Sequence, residues 1–125
     1  MLHLDANALV ELPIYLANPE SILNHAISKN EPLACSALAW YEFMAGPLDE
    51  RSLMLAKAVL SGGILPITPP LAVAAAQLFN QTGRKRSLKT DCLIAAHAIQ
   101  SGAPLFTRNT EDFRRFEAFG LVLRC

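Results

Sequence analysis

Apolar positions along this chain fall into two kinds of segment. Short unbroken runs alternate with longer stretches in which apolar residues recur at helical spacing. Leu2 to Asp5 is a run of the first kind, closed by an acid, and predicts a strand. Ala8 to Leu16 reads as a helix that Asn7 can cap, with a kink or break at Pro13, which sits too deep for a first-turn proline. Ile22, Leu23, Ala26 and Ile27 mark one face of a second helix ending near Lys29-Asn30. Pro32 to Cys35 predicts a second strand. Ser36 then caps a helix through Met44 that Gly46-Pro47 closes. Residues 49 to 60 intersperse charges with Leu53, Leu55, Ala56, Val59 and Leu60, the pattern of an amphipathic helix, which Gly62-Gly63 stops.

Ile64 to Ile67 is a third strand, and Pro69-Pro70 opens a helix running to about Gln81. Thr90 to Ile99 is nearly all apolar apart from Asp91 at its head, and predicts a buried helix ending before Ser101-Gly102. Pro104 to Thr107, Glu111 to Phe116 and Leu121 to Leu123 complete the order as a fourth strand, a short helix and a fifth strand. Short strands separated by helices predict an α/β fold. The expected form is a three-layer α/β/α sandwich around a five-stranded parallel sheet, built as a single domain over residues 1–125.

Composition narrows the class. With 52% hydrophobic and 18% charged residues the 125-residue chain has the makeup of a globular protein. Eleven basic and eleven acidic side chains cancel, so a site for a charged partner must come from local charge separation. Cys35, Cys92 and Cys125 are scattered, without a C-x-x-C pair, which argues for reduced thiols and against a zinc site. No apolar stretch approaches the ~20 residues that cross a bilayer, and no signal peptide opens the chain, so the expected setting is cytoplasmic with no membrane partner.

Four acids stand where chemistry is expected. Asp5 ends the first strand and Asp112 closely follows the fourth; open parallel sheets bind ligands beyond the carboxyl ends of strands, where strand order reverses. Glu42 has Leu38, Ala39, Ala45 and Gly46 as its helical neighbours, so it occupies a small, apolar face where an unpaired carboxylate is costly. Asp91 heads the buried helix, either as a cap or as a ligand. Converging carboxylates repel one another, and an all-oxygen donor set suits Mg²⁺ or Mn²⁺. Such an ion supports phosphodiester hydrolysis. The basic loop Arg84-Lys85-Arg86, just ahead of Asp91, supplies candidate phosphate contacts that would steer a polyanion to the acids. Taken singly, Asp91 and Asp112 also read as helix-start or turn residues and the basic loop as a solvated surface. His3, His25 and His97 form no catalytic pattern, and Trp40, Phe43, Phe79 and Phe116 are expected in the core or at a dimer contact.

Leu4-Asp5-Ala6-Asn7-Ala8-Leu9, Trp40-Tyr41-Glu42-Phe43-Met44-Ala45-Gly46, Thr90-Asp91-Cys92-Leu93-Ile94-Ala95-Ala96-His97-Ala98 and Thr107-Arg108-Asn109-Thr110-Glu111-Asp112-Phe113 resemble, in order and spacing, the PIN domain, especially VapC-type toxin ribonucleases. The resemblance covers essentially the whole chain. It implies a Mg²⁺- or Mn²⁺-dependent endoribonuclease with Asp5, Glu42, Asp91 and Asp112 as the metal-binding cluster, supported by Asn7, Thr107 and Asn109. It also implies a homodimer neutralised by a small antitoxin. Ala6 departs from the threonine or serine often found there, which removes a supporting hydroxyl. Two rival readings are a phosphatase with Asp5 as nucleophile and an inactive PIN-like binding or scaffold module. The first lacks the second acid of haloacid-dehalogenase-type enzymes, because Asn7 stands in its place; intact acids speak against the second.

Overall fold

A computed structural model describes all residues, Met1–Cys125. Its sheet is parallel throughout, in the order β3-β2-β1-β4, with β1 Leu2–Leu4, β2 Leu33–Ser36, β3 Gly63–Leu65 and β4 Leu105–Phe106. The central strands β1 and β2 are buried along their whole length, as strands covered on both faces must be. Register is set by the pairs His3 with Ala34 and Leu4 with Phe106. The strand order reverses at β1, between β2 and β4, so Asp5 lies at the topological switch point.

The expected fifth strand does not form. Residues 121–123 run beside β4 for a single parallel bridge, Leu105 to Leu123, because β4 is only two residues long and offers no further ladder partners. The sheet is therefore four-stranded.

Helices cover both faces. Helices α1 (Ala6–Val10), α2 (Leu12–Ala17) and α3 (Ile22–Ser28) lie over one, where Tyr15 meets the Phe106 ring edge-on at 5.0 Å. The break before Pro13 occurs as anticipated, with Glu11 between α1 and α2 and Pro13 absorbed into the first turn of the second helix. Over the other face pack α6 (Pro69–Gln81) and α7 (Lys89–Ser101), where His97 meets His3 at 5.5 Å. Both histidines are buried core residues. Helix α4 (Ala37–Ala45) starts directly at the end of β2, with the Ser36 hydroxyl accepting from Leu38 N–H, and packs against both α1 and α7. Helix α5 (Glu50–Val59) rests on α1 and α2. Helix α8 is the short turn Thr110–Phe113, followed by a 3₁₀ segment, Arg114–Phe119. Phe113 and Phe116, both fully buried, pin that segment to the core. No helix is long and apolar enough to cross a membrane.

Candidate active site

Asp5 is the most deeply held of the four acids. Its backbone N–H donates to the Phe106 carbonyl at 3.1 Å, tying the end of β1 to the end of β4. Its Oδ1 accepts from Ala6 N–H at 2.8 Å, and its Oδ2 accepts from the Thr107 hydroxyl at 2.8 Å. Asp5, not Asn7, is thus the cap of α1: it has the extended backbone a cap requires, whereas Asn7 lies inside the helix. The Asn7 Oδ1 is buried with no hydrogen-bond partner.

Thr107 is itself oriented. While donating to Asp5, its Oγ1 accepts from the Asn109 N–H at 3.0 Å, and the Asn109 side-chain amide donates to Asp112 Oδ2 at 2.8 Å. One chain of hydrogen bonds therefore runs Asp5–Thr107–Asn109–Asp112, crossing from β1 to the turn after β4. Two of the three supporting residues suggested by resemblance, Thr107 and Asn109, are positioned by direct contact. Asn7 makes no such contact.

Glu42 and Asp91 complete the group by charge. Asp91 is the third residue of α7, behind a 3₁₀ turn at Arg86–Leu88, and Leu88 occupies the cap position. The cap reading of Asp91 is therefore replaced by a carboxylate in the first turn, free to face outward. No hydrogen bond or ion pair engages the side chain of Glu42 or Asp91, an expensive state for partly buried carboxylates. Burial, then the charges of Asp5, Asp112 and Glu42, push the Asp91 carboxyl up to about 7 against a partial offset from Arg115. Burial and the Asp5 charge raise Glu42, and burial raises Asp5 despite its two hydrogen bonds. These couplings bring Asp91 within reach of the charges of the other three acids, and Glu42 within reach of Asp5. No three of the chain's His, Cys, Asp and Glu side chains are gathered tightly enough to ligate one ion as they stand. The donor set nevertheless fits a hard divalent cation in kind: all its oxygens are carboxylate or amide, and a cation would offset the repulsion that raises Asp91.

Basic residues precede and open α7. Arg84, Lys85 and Arg86 are exposed in the turn between α6 and α7. Arg84 bonds Asn80 and lies over the Phe79 ring, 5.3 Å from its centroid, and Lys89 approaches the same ring at 5.5 Å. Arg115 is the residue sequence reasoning missed, a cation one turn beyond Asp112 whose charge reaches Asp91. Its i+3 spacing from Asp112 was the available signal. Phe79 is half-buried beneath the two cations, while Phe43 and Phe116 are core residues and Trp40 packs on Phe43 at 5.4 Å.

A parallel α/β sheet with an acid at its switch point and further acids acting on one another is the arrangement in which open α/β folds place their ligand sites. A sequence model of the PIN domain matches residues 3–118, and the chain belongs to that family. Among solved structures it is similar to a chain of VapBC2 from Rickettsia felis bound to a promoter DNA fragment, at 24% identity over 99% of this chain and 98% of that one, with a TM-score of 0.70. It is also similar to a chain of a toxin-antitoxin complex from Klebsiella pneumoniae, at 25% identity over 90% of each and a TM-score of 0.63. A third is FitAcB from Neisseria gonorrhoeae, at 24% identity over 99% and 97%, with a TM-score of 0.63. No curated protein sequence matches the chain.

Proposed function

We propose that residues 1–125 act as one PIN-type domain that cleaves RNA with Mg²⁺ or Mn²⁺, as the cytoplasmic toxin of a type II toxin-antitoxin pair. The observation that carries this reading is the shared field of Asp5, Glu42, Asp91 and Asp112 at the strand-order switch. Membership in the PIN family and likeness to toxin-antitoxin complexes support the toxin assignment, with a small antitoxin and a second copy of the chain as partners.

In this reading Asp5, Glu42, Asp91 and Asp112 would hold the cation, which when bound would supply water activation and charge neutralisation at the phosphate. Asp5 is locked in one rotamer by Ala6 N–H and the Thr107 hydroxyl. Asn109 does the same for Asp112. Asp91, which has no competing hydrogen bond, would help hold the cation and orient the attacking water. Arg84, Lys85 and Arg86 would contact phosphates along the strand, and Arg115, whose charge reaches Asp91, would offset charge at the acids.

Purified chain incubated with a panel of single-stranded and hairpin RNAs should cleave only when Mg²⁺ or Mn²⁺ is present. Asp5→Asn should lower the rate by at least ~10²-fold, the scale for losing one preorganised electrostatic group. Equal behaviour of wild type and Asp5→Asn, with no acid-dependent Mg²⁺ binding by calorimetry, would identify a scaffold module instead.

A further inference from the structure

A cavity of about 370 Å³ opens at the outer edge of β4. Its walls come from the end of α2, the turn into α3, and the residues following β4. It shares Thr107 with the acidic site, and Thr107 is the residue that holds Asp5. The volume falls in the range of small-ligand sites.

Two features make this a built pocket. The first is rigidity. The Asn24 side-chain amide donates to the carbonyls of Tyr15, Leu16 and Asn18, at 3.3, 3.0 and 2.7 Å, which fixes the wall between α2 and α3. Tyr15 is braced by its edge-to-face contact with Phe106. The second is unused bonding capacity. No hydrogen bond engages the hydroxyl of Tyr15 or of Thr110, and the Glu20 carboxylate at the rim has only a loose approach to His25 at 3.8 Å.

The charges decide what fits. Arg108, the only cation lining the cavity, is ion-paired with Glu11, which leaves Glu20 as the unneutralised charge. A phosphate is therefore unwelcome here; the free cations stand at the start of α7 instead. A flat uncharged ring whose edge carries an exocyclic amine suits two free hydroxyls and a carboxylate acceptor, whereas uracil sets its one edge N–H between two carbonyls that the carboxylate repels. Resting on the RNA-cleaving reading of the acidic site, we propose that this cavity seats a nucleobase next to the scissile bond and prefers bases bearing an exocyclic amine over uracil.

The test is titration of the intact chain with the four ribonucleoside 5′-monophosphates, alongside cleavage of RNAs varied at each position flanking the cut. Uridine monophosphate should bind about tenfold more weakly than the preferred amine-bearing nucleotide, the lower end for one base-edge contact. Tyr15→Phe keeps the ring packing and Glu20→Ala lies on an exposed turn, so both should fold, and each should shrink that difference severalfold. The same base should be preferred at one flanking position of the cleaved RNA. Equal binding of all four nucleotides, or a preference untouched by both variants, overturns the pocket. The two readings part cleanly. Base-selective binding with no Asp5-dependent cleavage leaves the pocket standing and removes the hydrolase; Asp5-dependent cleavage without base preference does the reverse.

Discussion

Thr107 carries more of the site than its chemistry advertises. A single buried hydroxyl donates to Asp5 and accepts from Asn109, so it joins the end of β1 to the turn that carries Asp112. Hydrogen bonding from Thr107 to the ionised carboxylate opposes the burial that raises Asp5. Thr107→Val keeps the volume but removes both bonds. The Asp5 carboxyl should then rise further, and the acidic limb of a pH–rate profile should move to higher pH. Leaving the Asn109 N–H without its acceptor should cost ~1–3 kcal/mol in urea denaturation. Thr107→Ser, which retains the hydroxyl, should restore both measurements; a Val variant with an unmoved acidic limb would sever Thr107 from Asp5. The absent hydroxyl at Ala6 is offset in part by the same bond, since Asp5 already has two donors.

Elements were legible where periodicity and punctuation agreed. Pro69-Pro70 and Ser36 mark their helix starts, and Pro13 its break, because each acts through local backbone chemistry that no distant contact can override. The fifth strand failed for the opposite reason. Strand formation at Leu121–Leu123 depends on the length of β4, a neighbour whose extent its own pattern does not encode. The acids were visible singly at strand ends and helix starts, but the Thr107–Asn109 relay and the reach of Arg115 depend on three-dimensional approach. One element-scale constraint is a close contact at the turn before β3. Gly62 donates its N–H to Leu33 O at 2.8 Å, and an added Cβ there would lie 3.0 Å from that oxygen and 3.1 Å from the Ala34 Cβ. Gly62→Ala should therefore push β3 away from β2 and destabilise by ~1–3 kcal/mol, read as a lower denaturation midpoint. Because β3 is the edge far from β4, activity at permissive temperature should survive.

At the scale of the molecule, two sets of buried groups pull stability in opposite directions with pH. Asp5, Glu42 and Asp91 have folded values above their usual range, so the native state retains protons the unfolded chain has released. That contribution is present at low pH and is lost as pH rises, for Asp91 through a window from 3.8 to about 7. His3 and His97 are displaced the other way, His3 down to about 4, chiefly by burial. The unfolded chain binds their protons first, so their contribution strengthens with rising pH up to about 6.5. Between pH 4 and 6.5 the two sets oppose, and the wild-type curve alone is ambiguous. Asp91→Asn separates them, since it removes one acid and leaves both histidines. Without divalent metal, the variant should be more stable than wild type at pH 8 by ~1–2 kcal/mol after allowance for solvent screening of a half-exposed carboxyl. At pH 5, inside the window, the advantage should be smaller, and it should vanish only below pH 3.8, where Asp91 is protonated in the native and the unfolded wild type alike. Millimolar Mg²⁺ should reverse the order at pH 8 by binding the native wild type alone. Urea midpoints at the two pH values, with and without Mg²⁺, read all four corners. An Asp91→Asn variant that gains nothing at pH 8 would mean that neither burial nor the charges of the other three acids raise Asp91, and the shared field on which the active site rests would be gone.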